Sequence, residues 1–272
     1  VPKRNVIITS GTGSGKTESF LLPILLRLVD EARSWGPQAS PSPWWRERKW
    51  TPDSALRSRE KRPAALRAVV LYPTNALVED QITRLRRAAM RSFDGLAPLF
   101  YFGRYTGETS GGSWTPESGP LRANQAREVN ALAAEIFDQA ILQASLSDDA
   151  KIQFPVPLCG EMLTRWDMLN APPDLLISNT SMLNVMLMRS QEDNLFEKTK
   201  SWLRQNPKNI FTLVVDELHA YRGTAGAEVA VTIRNLLNRI GISADSEQLR
   251  IIATSASITN DDEGKGKVTN SL

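Results

Sequence analysis

The chain has one cysteine, Cys159, and one histidine, His219, in 272 residues. A single thiol excludes an internal disulfide and a multi-cysteine metal site, and a single imidazole excludes a multi-histidine zinc site. Cys159, beside Pro157 and Leu158, reads as a small apolar residue. No segment approaches the roughly 20 apolar residues of a membrane span, and the N-terminus has no signal-peptide pattern. A cytoplasmic protein with no membrane partner is expected. Neither sign of charge dominates, since the net charge of +3 is too small to name a partner. No internal repeat occurs. The 41% hydrophobic and 23% charged content is that of a soluble globular protein, long enough for one large domain or two small ones.

What is present begins with Val6-Ile7-Ile8-Thr9, which reads as a buried strand. Glu18 to Val29, with Phe20, Leu21, Ile24, Leu25 and Leu28 at helical spacing, reads as the helix after it. Between them lies Ser10-Gly11-Thr12-Gly13-Ser14-Gly15-Lys16-Thr17. A glycine-rich turn there aims backbone N–H groups at a phosphate, and the helix N-terminus adds a favourable dipole. Lys16 would reach the β- and γ-phosphates, and the Thr17 hydroxyl would ligate Mg²⁺. The usual first glycine of this pattern is Ser10, small enough to allow the turn. The alternative is a glycine-rich turn without a ligand, and the strand–loop–helix context favours a nucleoside triphosphate.

Further apolar runs follow: 68–72, 99–102, 175–177, 211–215 and 249–253. Helical patterns lie between them at 77–90, 181–189 and 225–240. Strands alternating with helices predict an α/β fold with a mostly parallel sheet covered on both faces. Ligands of such sheets bind at the carboxyl ends of the strands. Two segments break the rhythm. Residues 34–67 are rich in Pro, Ser, Trp and Arg, and 106–173 open on a Gly/Ser/Pro stretch before a helical pattern near 123–145. Both read as insertions on one sheet rather than as separate domains. The tail 260–267 is polar.

Val214-Val215-Asp216-Glu217-Leu218-His219 places two carboxylates just beyond an apolar strand. With a P-loop present, Asp216 would hold Mg²⁺ directly or through water, and Glu217 would orient or deprotonate the attacking water. The alternative is a solvated acidic turn.

Thr9 to Glu18, Tyr72 to Gln81, Asp216 to His219 and Thr254 to Ser257 resemble, in order, motifs I, Ia, II and III of superfamily-two helicases. Asn179 to Leu183 resembles motif Ib, and Asp-Glu-Leu-His is the DExH version of motif II. Asp216 to Gly223, before a glycine- and alanine-rich helix start, resembles the MrfA/YprA-like branch. The insertions, with Trp44-Trp45 and Arg165 to Met168, resemble those of large bacterial defence helicases of the Druantia type.

The resemblance implies a single RecA-like ATP-binding domain over 1–272, using ATP and Mg²⁺, cut from a longer chain. The second RecA-like domain, which supplies arginine fingers, and the upstream segment that reads adenine are expected to lie elsewhere. His219 at the fourth motif II position would bond to Ser255 or Ser257 and link hydrolysis to domain movement.

Motifs Ia and Ib imply a nucleic-acid partner, single-stranded or tailed DNA by branch resemblance. Pro73-Thr74-Asn75 and Asn179-Thr180-Ser181 each follow an apolar strand and start a helix, where they would bond phosphates; plain N-capping is the alternative. Arg104, Thr106 and Gly107 lie on the turn beside the basic helix of Arg84, Arg86, Arg87 and Arg91, which is either strand-facing or simply solvated. The tryptophans of 34–67, interleaved with Arg46, Arg48, Lys49, Arg57 and Arg59, would either stack on bases or pack the insertion onto the sheet. The function this implies is a DNA helicase or translocase motor, in defence or repair. An RNA helicase, an ATP-gated clamp and a P-loop switch are the alternatives.

Overall fold

A computed structural model describes residues 5–9, 11, 15–36, 41–92, 98–115, 118–157 and 160–256. Side chains of 91 and 92 are outside that description, as are Ser10, Thr12, Gly13, Ser14, Cys159, Ser257 and the 260–267 tail.

Among the described residues, seven strands form one sheet: β1 (Val6–Thr9), β2 (Ala68–Tyr72), β3 (Phe102–Tyr105), β4 (Glu161–Met162), β5 (Leu175–Asn179), β6 (Phe211–Val215) and β7 (Leu249–Ser255). Their order is β1-β7-β6-β2-β5-β3-β4, and every pairing is parallel. The helices used below are α1 (Lys16–Ser34), α2 (Trp44–Glu47), α3 (Asn75–Ser92), α4 (Ala123–Ala144), α5 (Asp148–Gln153), α6 (Arg165–Asn170), α7 (Thr180–Met188), α8 (Asp193–Gln205) and α9 (Thr224–Ile240). This is the α/β architecture, with a parallel sheet and helices on both faces, expected from the sequence.

Period-two alternation distributes the strand residues between two apolar layers. Ala68, Val70, Leu175, Ile177 and Val214 pack with Phe20, Ile24 and Leu28 of α1 and Val78, Ile82 and Leu85 of α3. Val69, Leu71, Leu176, Leu213 and Val215 pack on the opposite face, with Leu183, Phe196, Leu236 and the insertion tryptophans. Both faces of the sheet are therefore covered, and the near-continuous apolar runs of β2, β5 and β6 follow from that double burial.

Three expectations need correction. The first strand is not buried: β1 pairs with β7 alone and leaves Val6 44% and Ile7 60% exposed. An apolar run does not distinguish an inner strand from one at a sheet's end. The strand expected at 99–102 begins only at Phe102. Asp174 causes the shift: its carboxylate takes the Tyr101 N–H at 2.9 Å, and the Tyr101 carbonyl accepts from the Asp174 and Leu175 amides. Finally, segment 106–173 is not wholly an addition to the sheet, because β4 lies within it and pairs with β3.

The two inserted segments are held by buried charge. Asp174 meets Arg57 at 2.9 Å, Arg62 at 2.6 Å and Arg67 at 3.3 Å. Glu60 pairs with Arg57 and Arg62, and Glu31 with Arg67, which balances the cluster. Burial opposes ionisation of Asp174, but the three guanidiniums outweigh it and hold the carboxyl well below its usual range. This cluster ties residues 57–67 to the start of β5.

Candidate nucleotide and nucleic-acid sites

At the carboxyl end of β1 the chain turns through Gly15, whose φ of 81° is left-handed backbone suited to glycine. α1 starts immediately after, so Lys16 and Thr17 occupy its first turn. They line a cleft of about 470 Å³ with Gly15, Glu18, Asp216, Glu217, Tyr72 and Gln81. The Lys16 side chain is 9% exposed, and among the described residues its Nζ makes no hydrogen bond, lying 3.7 Å from Glu217 Oε1. A nearly buried ammonium without a hydrogen-bond acceptor fits a site built for an anionic ligand.

Asp216 follows β6 directly, and its amide donates to the Leu71 carbonyl at 2.9 Å. Burial pushes its carboxyl pKa up; the bond from the Thr254 hydroxyl pulls it down less. Thr254 Oγ1 also accepts from the Glu217 amide at 3.3 Å, so one hydroxyl organises both carboxylate residues.

Glu217 has φ 52° and ψ 49°, a left-handed conformation rare outside glycine. That backbone turns its side chain back toward the cleft, between Lys16 and His219. His219 Nδ1 lies 3.1 Å from Glu217 Oε2, 3.4 Å from the Ala256 N and 3.5 Å from the Ser255 Oγ. Nδ1 accepts the Ala256 amide, Glu217 Oε2 makes no hydrogen bond among the described residues, and the expected Ser255 link sits at the outer hydrogen-bonding limit.

The second group of residues lies one strand further along the sheet. β2 ends at Tyr72, and Pro73-Thr74 leads into α3 at Asn75. β5 ends at Asn179, which caps α7 by accepting the Met182 amide at 2.7 Å. Asn179 Nδ2 donates to Asn75 Oδ1 at 2.7 Å, joining the two turns. Thr74 and Ser181 are exposed, and Asn75, Asn179 and Thr180 are half-buried.

Residues 1–104 match the DEAD/DEAH box helicase family model. That match covers 104 of the 272 residues and includes the P-loop segment and the 72–81 segment. It is 35% identical to Druantia protein DruE of Escherichia coli (strain UMEA 4076-1), across 96% of this chain and 15% of that protein. It is 30% identical to the uncharacterized ATP-dependent helicase MJ1574 of Methanocaldococcus jannaschii, across 96% of this chain and 24% of that one. The chain thus spans less than a quarter of the length of either curated relative. Among solved structures, the DUF1998 helicase MrfA aligns at 23% identity and a TM-score of 0.47, over 94% of this chain and 25% of that one. MrfA bound to DNA and AMPPNP aligns at 21% identity and a TM-score of 0.46, over 96% of this chain and 23% of that one.

Several residues expected to contact a strand have protein partners. Thr106 is fully buried, and its amide and hydroxyl bond to Thr109 and Glu108 within the turn. Gly107 remains exposed beside it. Arg104 pairs with Glu79. Arg84 bridges Asp80 and Glu18, Arg86 binds Glu161 at 2.7 Å, and Arg87 donates to the carbonyls of Ile152 and Gln153. A run of arginines reads as a strand-binding face only until its acidic and carbonyl partners, distant in sequence, are seen.

Trp44 and Trp50 pack inward, whereas Trp35 is 47% exposed. Trp44 is 1% and Trp50 3% exposed, and their indole N–H groups donate to Asp167 at 2.9 and 2.8 Å. Trp50 stands edge-on to Trp114 at 5.0 Å, and Trp44 edge-on to the half-buried Trp45 at 5.4 Å. Arg57 is buried on Asp174. Sequence reasoning missed Thr254 as an organiser of Asp216 and Glu217, although it opens the Thr-Ser-Ala-Ser run. It also missed Tyr72 and Gln81 as cleft residues. Tyr72 could have been found as the last residue of an apolar strand, where side chains meet the ligand edge.

Proposed function

We propose that this chain is the ATP-binding motor domain of a longer ATP-dependent helicase or translocase that acts on single-stranded or tailed DNA. The carrying observation is the convergence of Lys16, Asp216 and Glu217 on one cleft, with the joined Asn75 and Asn179 turns on the adjoining strands. Gly11, Thr12, Gly13, Ser14, Gly15 and Glu18 complete the phosphate cradle in this reading. Among the described residues no cluster of three His, Cys, Asp or Glu that could hold a metal occurs. Thr17 and Asp216 would therefore share Mg²⁺ with nucleotide oxygens, a mode usual for this cation. When bound, Mg²⁺–ATP supplies the phosphoanhydride to be cleaved and a cation that neutralises its oxygens.

Lys16 places its ammonium against the negative charge of the phosphates. Glu217, held by its left-handed backbone beside His219, accepts a proton from the attacking water. Thr254 keeps Asp216 and Glu217 in register, and Ser255 and Ser257 relay a change at His219 toward the second domain. Pro73, Thr74, Asn75, Arg104, Thr106, Gly107, Asn179, Thr180 and Ser181 border the strand path. Thr74, Asn75, Asn179, Thr180 and Ser181 supply phosphate contacts, while Arg104 and the buried Thr106 shape the edge.

A second RecA-like domain beyond this chain would close the cleft, and the much greater length of both curated relatives leaves room for it. The resemblance to Druantia protein DruE supports anti-phage defence, or DNA repair, as the setting in the cytoplasm, and the choice of DNA over RNA rests on branch resemblance. The test is ATP hydrolysis by the full-length protein with and without single-stranded DNA or RNA, alongside strand displacement. Hydrolysis stimulated by DNA, absent in Lys16→Ala, supports the motor. RNA-selective stimulation makes it an RNA helicase, binding without displacement or movement makes it a clamp, and indifference to both nucleic acids makes it a P-loop switch.

A further inference from the structure

One cleft residue has no role in the reading above. Gln81, on α3, is 2% exposed. Its Oε1 accepts the Tyr72 hydroxyl proton at 2.9 Å, and its Nε2 has no hydrogen-bond partner. A buried amide N–H without an acceptor is unfavourable, and native structures rarely leave one unless a ligand or water completes it. The cleft that Gln81 lines also holds Lys16, whose ammonium makes no hydrogen bond among the described residues either.

Tyr72 fixes which way the amide faces. Burial and then the negative charge of Asp216 raise the phenol's pKa and keep it a neutral donor; Arg84 opposes this, and Asp80 and Glu217 add smaller upward contributions. Its proton is committed to Oε1, so Nε2 is the end left over. Among the described residues none supplies an acceptor for Nε2, which leaves that donor to a group bound in the cleft. Phosphate oxygens, and water held by them, are acceptors of that kind.

The pair also brackets a strand-facing turn. Tyr72 immediately precedes Pro73, and Gln81 lies on the helix that starts at Asn75. The Tyr72–Gln81 bond closes this segment into a ring, and Asn75 within it holds Asn179 at the next turn.

We propose that Gln81 is a positioning residue of the nucleotide site, whose Nε2 donates to a phosphate oxygen or phosphate-held water and so couples nucleotide to the 73–75 turn. The inference rests on the ATP-motor reading for its coupling half. The contact half depends only on nucleotide binding.

The experiment uses the full-length protein, a fluorescent non-hydrolysable ATP analogue and a long single-stranded DNA. Gln81→Met keeps bulk and removes the donor. Tyr72→Phe keeps the donor and releases its orientation. Losing one hydrogen bond corresponds to about 3- to 10-fold in affinity where the acceptor is water and about 10- to 150-fold where it is a charged phosphate oxygen. Gln81→Met should therefore bind the analogue at least about 3-fold more weakly at unchanged nucleotide-free DNA affinity, with a lower melting temperature because the buried Tyr72 hydroxyl loses its acceptor. The factor by which analogue changes DNA affinity should shrink in both variants, because linkage makes coupling reciprocal. Wild-type analogue affinity in Gln81→Met overturns the contact. Equal loss of analogue affinity and DNA affinity overturns it in favour of packing, and if Gln81→Met does not fold, undiminished coupling in Tyr72→Phe overturns the relay. A wild-type protein whose DNA affinity ignores the analogue counts against the motor reading, while analogue affinity still decides the Gln81 contact.

Discussion

Asp167 is where the two inserted segments meet, and replacing it with Ala should unlock them without touching the nucleotide cleft. The substitution removes the acceptor for Trp44 at 2.9 Å, Trp50 at 2.8 Å and the Thr164 hydroxyl at 3.1 Å. Both indoles are buried, so water cannot replace the carboxylate. Each unsatisfied buried donor costs about 1–3 kcal/mol, which gives about 2–6 kcal/mol for the two indoles. The carboxylate itself is not cost-free. Burial pushes its pKa from 3.8 up to about 6, against the opposing pull of Trp50, Trp44 and Thr164. A raised carboxyl pKa means that the folded state binds the proton more tightly than the unfolded state. Its contribution is therefore full below the unfolded value and is lost as pH rises through about 6. The gap between wild type and Asp167→Ala should be wider at pH 4.5 than at pH 7, by about 2 kcal/mol. Chemical denaturation followed by tryptophan fluorescence at both pH values measures this. Single-strand affinity, measured where the variant is still folded, should not change. Stability within about 0.5 kcal/mol of wild type at both pH values refutes the clamp. Unchanged stability with weakened strand binding refutes it more sharply, because the tryptophans would then face a strand.

Lys16→Ala should abolish nucleotide binding in the full-length protein, whereas Glu217→Gln should keep it and slow hydrolysis by about 10²–10⁴-fold; nucleotide affinity and turnover measured side by side separate the two roles. Asp174→Asn should destabilise the fold by about 3–5 kcal/mol at pH 7, since it leaves three buried guanidiniums undercompensated. The lowered pKa of Asp174 means that its contribution is full above its ordinary 3.8 and is lost on acidification below that, so the variant's deficit should shrink in acid denaturation curves. Gly226→Ala should displace the loop after His219, because an added Cβ would lie 2.6 Å from the Tyr221 carbonyl oxygen. A melting temperature lowered by a loss of about 1–3 kcal/mol, with slower hydrolysis and retained nucleotide binding, is the expected outcome.

The layers and helices were legible because their signals are local and periodic. The helix expected at 225–240 is observed at Thr224–Ile240, and that expected at 181–189 at Thr180–Met188. That Lys16 and Asp216 line one cleft was legible for a different reason: a parallel sheet sends every strand's carboxyl end to one edge. What was hidden depended on partners distant in the chain. Nothing near Tyr101 announces that Asp174, 73 residues later, captures its amide and delays β3. Nothing near Trp44 announces Asp167, 123 residues later, which turns the tryptophans inward. The arginines of α3 failed as a strand-binding signal for the same reason, since Arg86 answers to Glu161 rather than to solvent.

The strand order gives the two candidate sites a particular relation. β1, β7 and β6 carry Lys16, Thr254 and Asp216, while β2, β5 and β3 carry Pro73 to Asn75, Asn179 and Gly107. Only the β6–β2 boundary separates the groups, and adjacent strands lie about 4.8 Å apart. A signal from hydrolysis to strand binding therefore need not cross the domain. It needs one residue at the end of β2 that answers to both sides, and Tyr72 has that position. It feels the charges of Asp216 and Glu217, bonds to Gln81 and is joined covalently to Pro73. Thr254 holds the other side of the boundary by bonding both Asp216 and the Glu217 amide. Since the Glu217 backbone is held in a left-handed conformation, small shifts at β7 would move a catalytic carboxylate whose geometry is already strained. Closure by a partner domain on the β7 end would then act on the carboxylate through Thr254, and on the strand through Tyr72, without deforming the sheet between them.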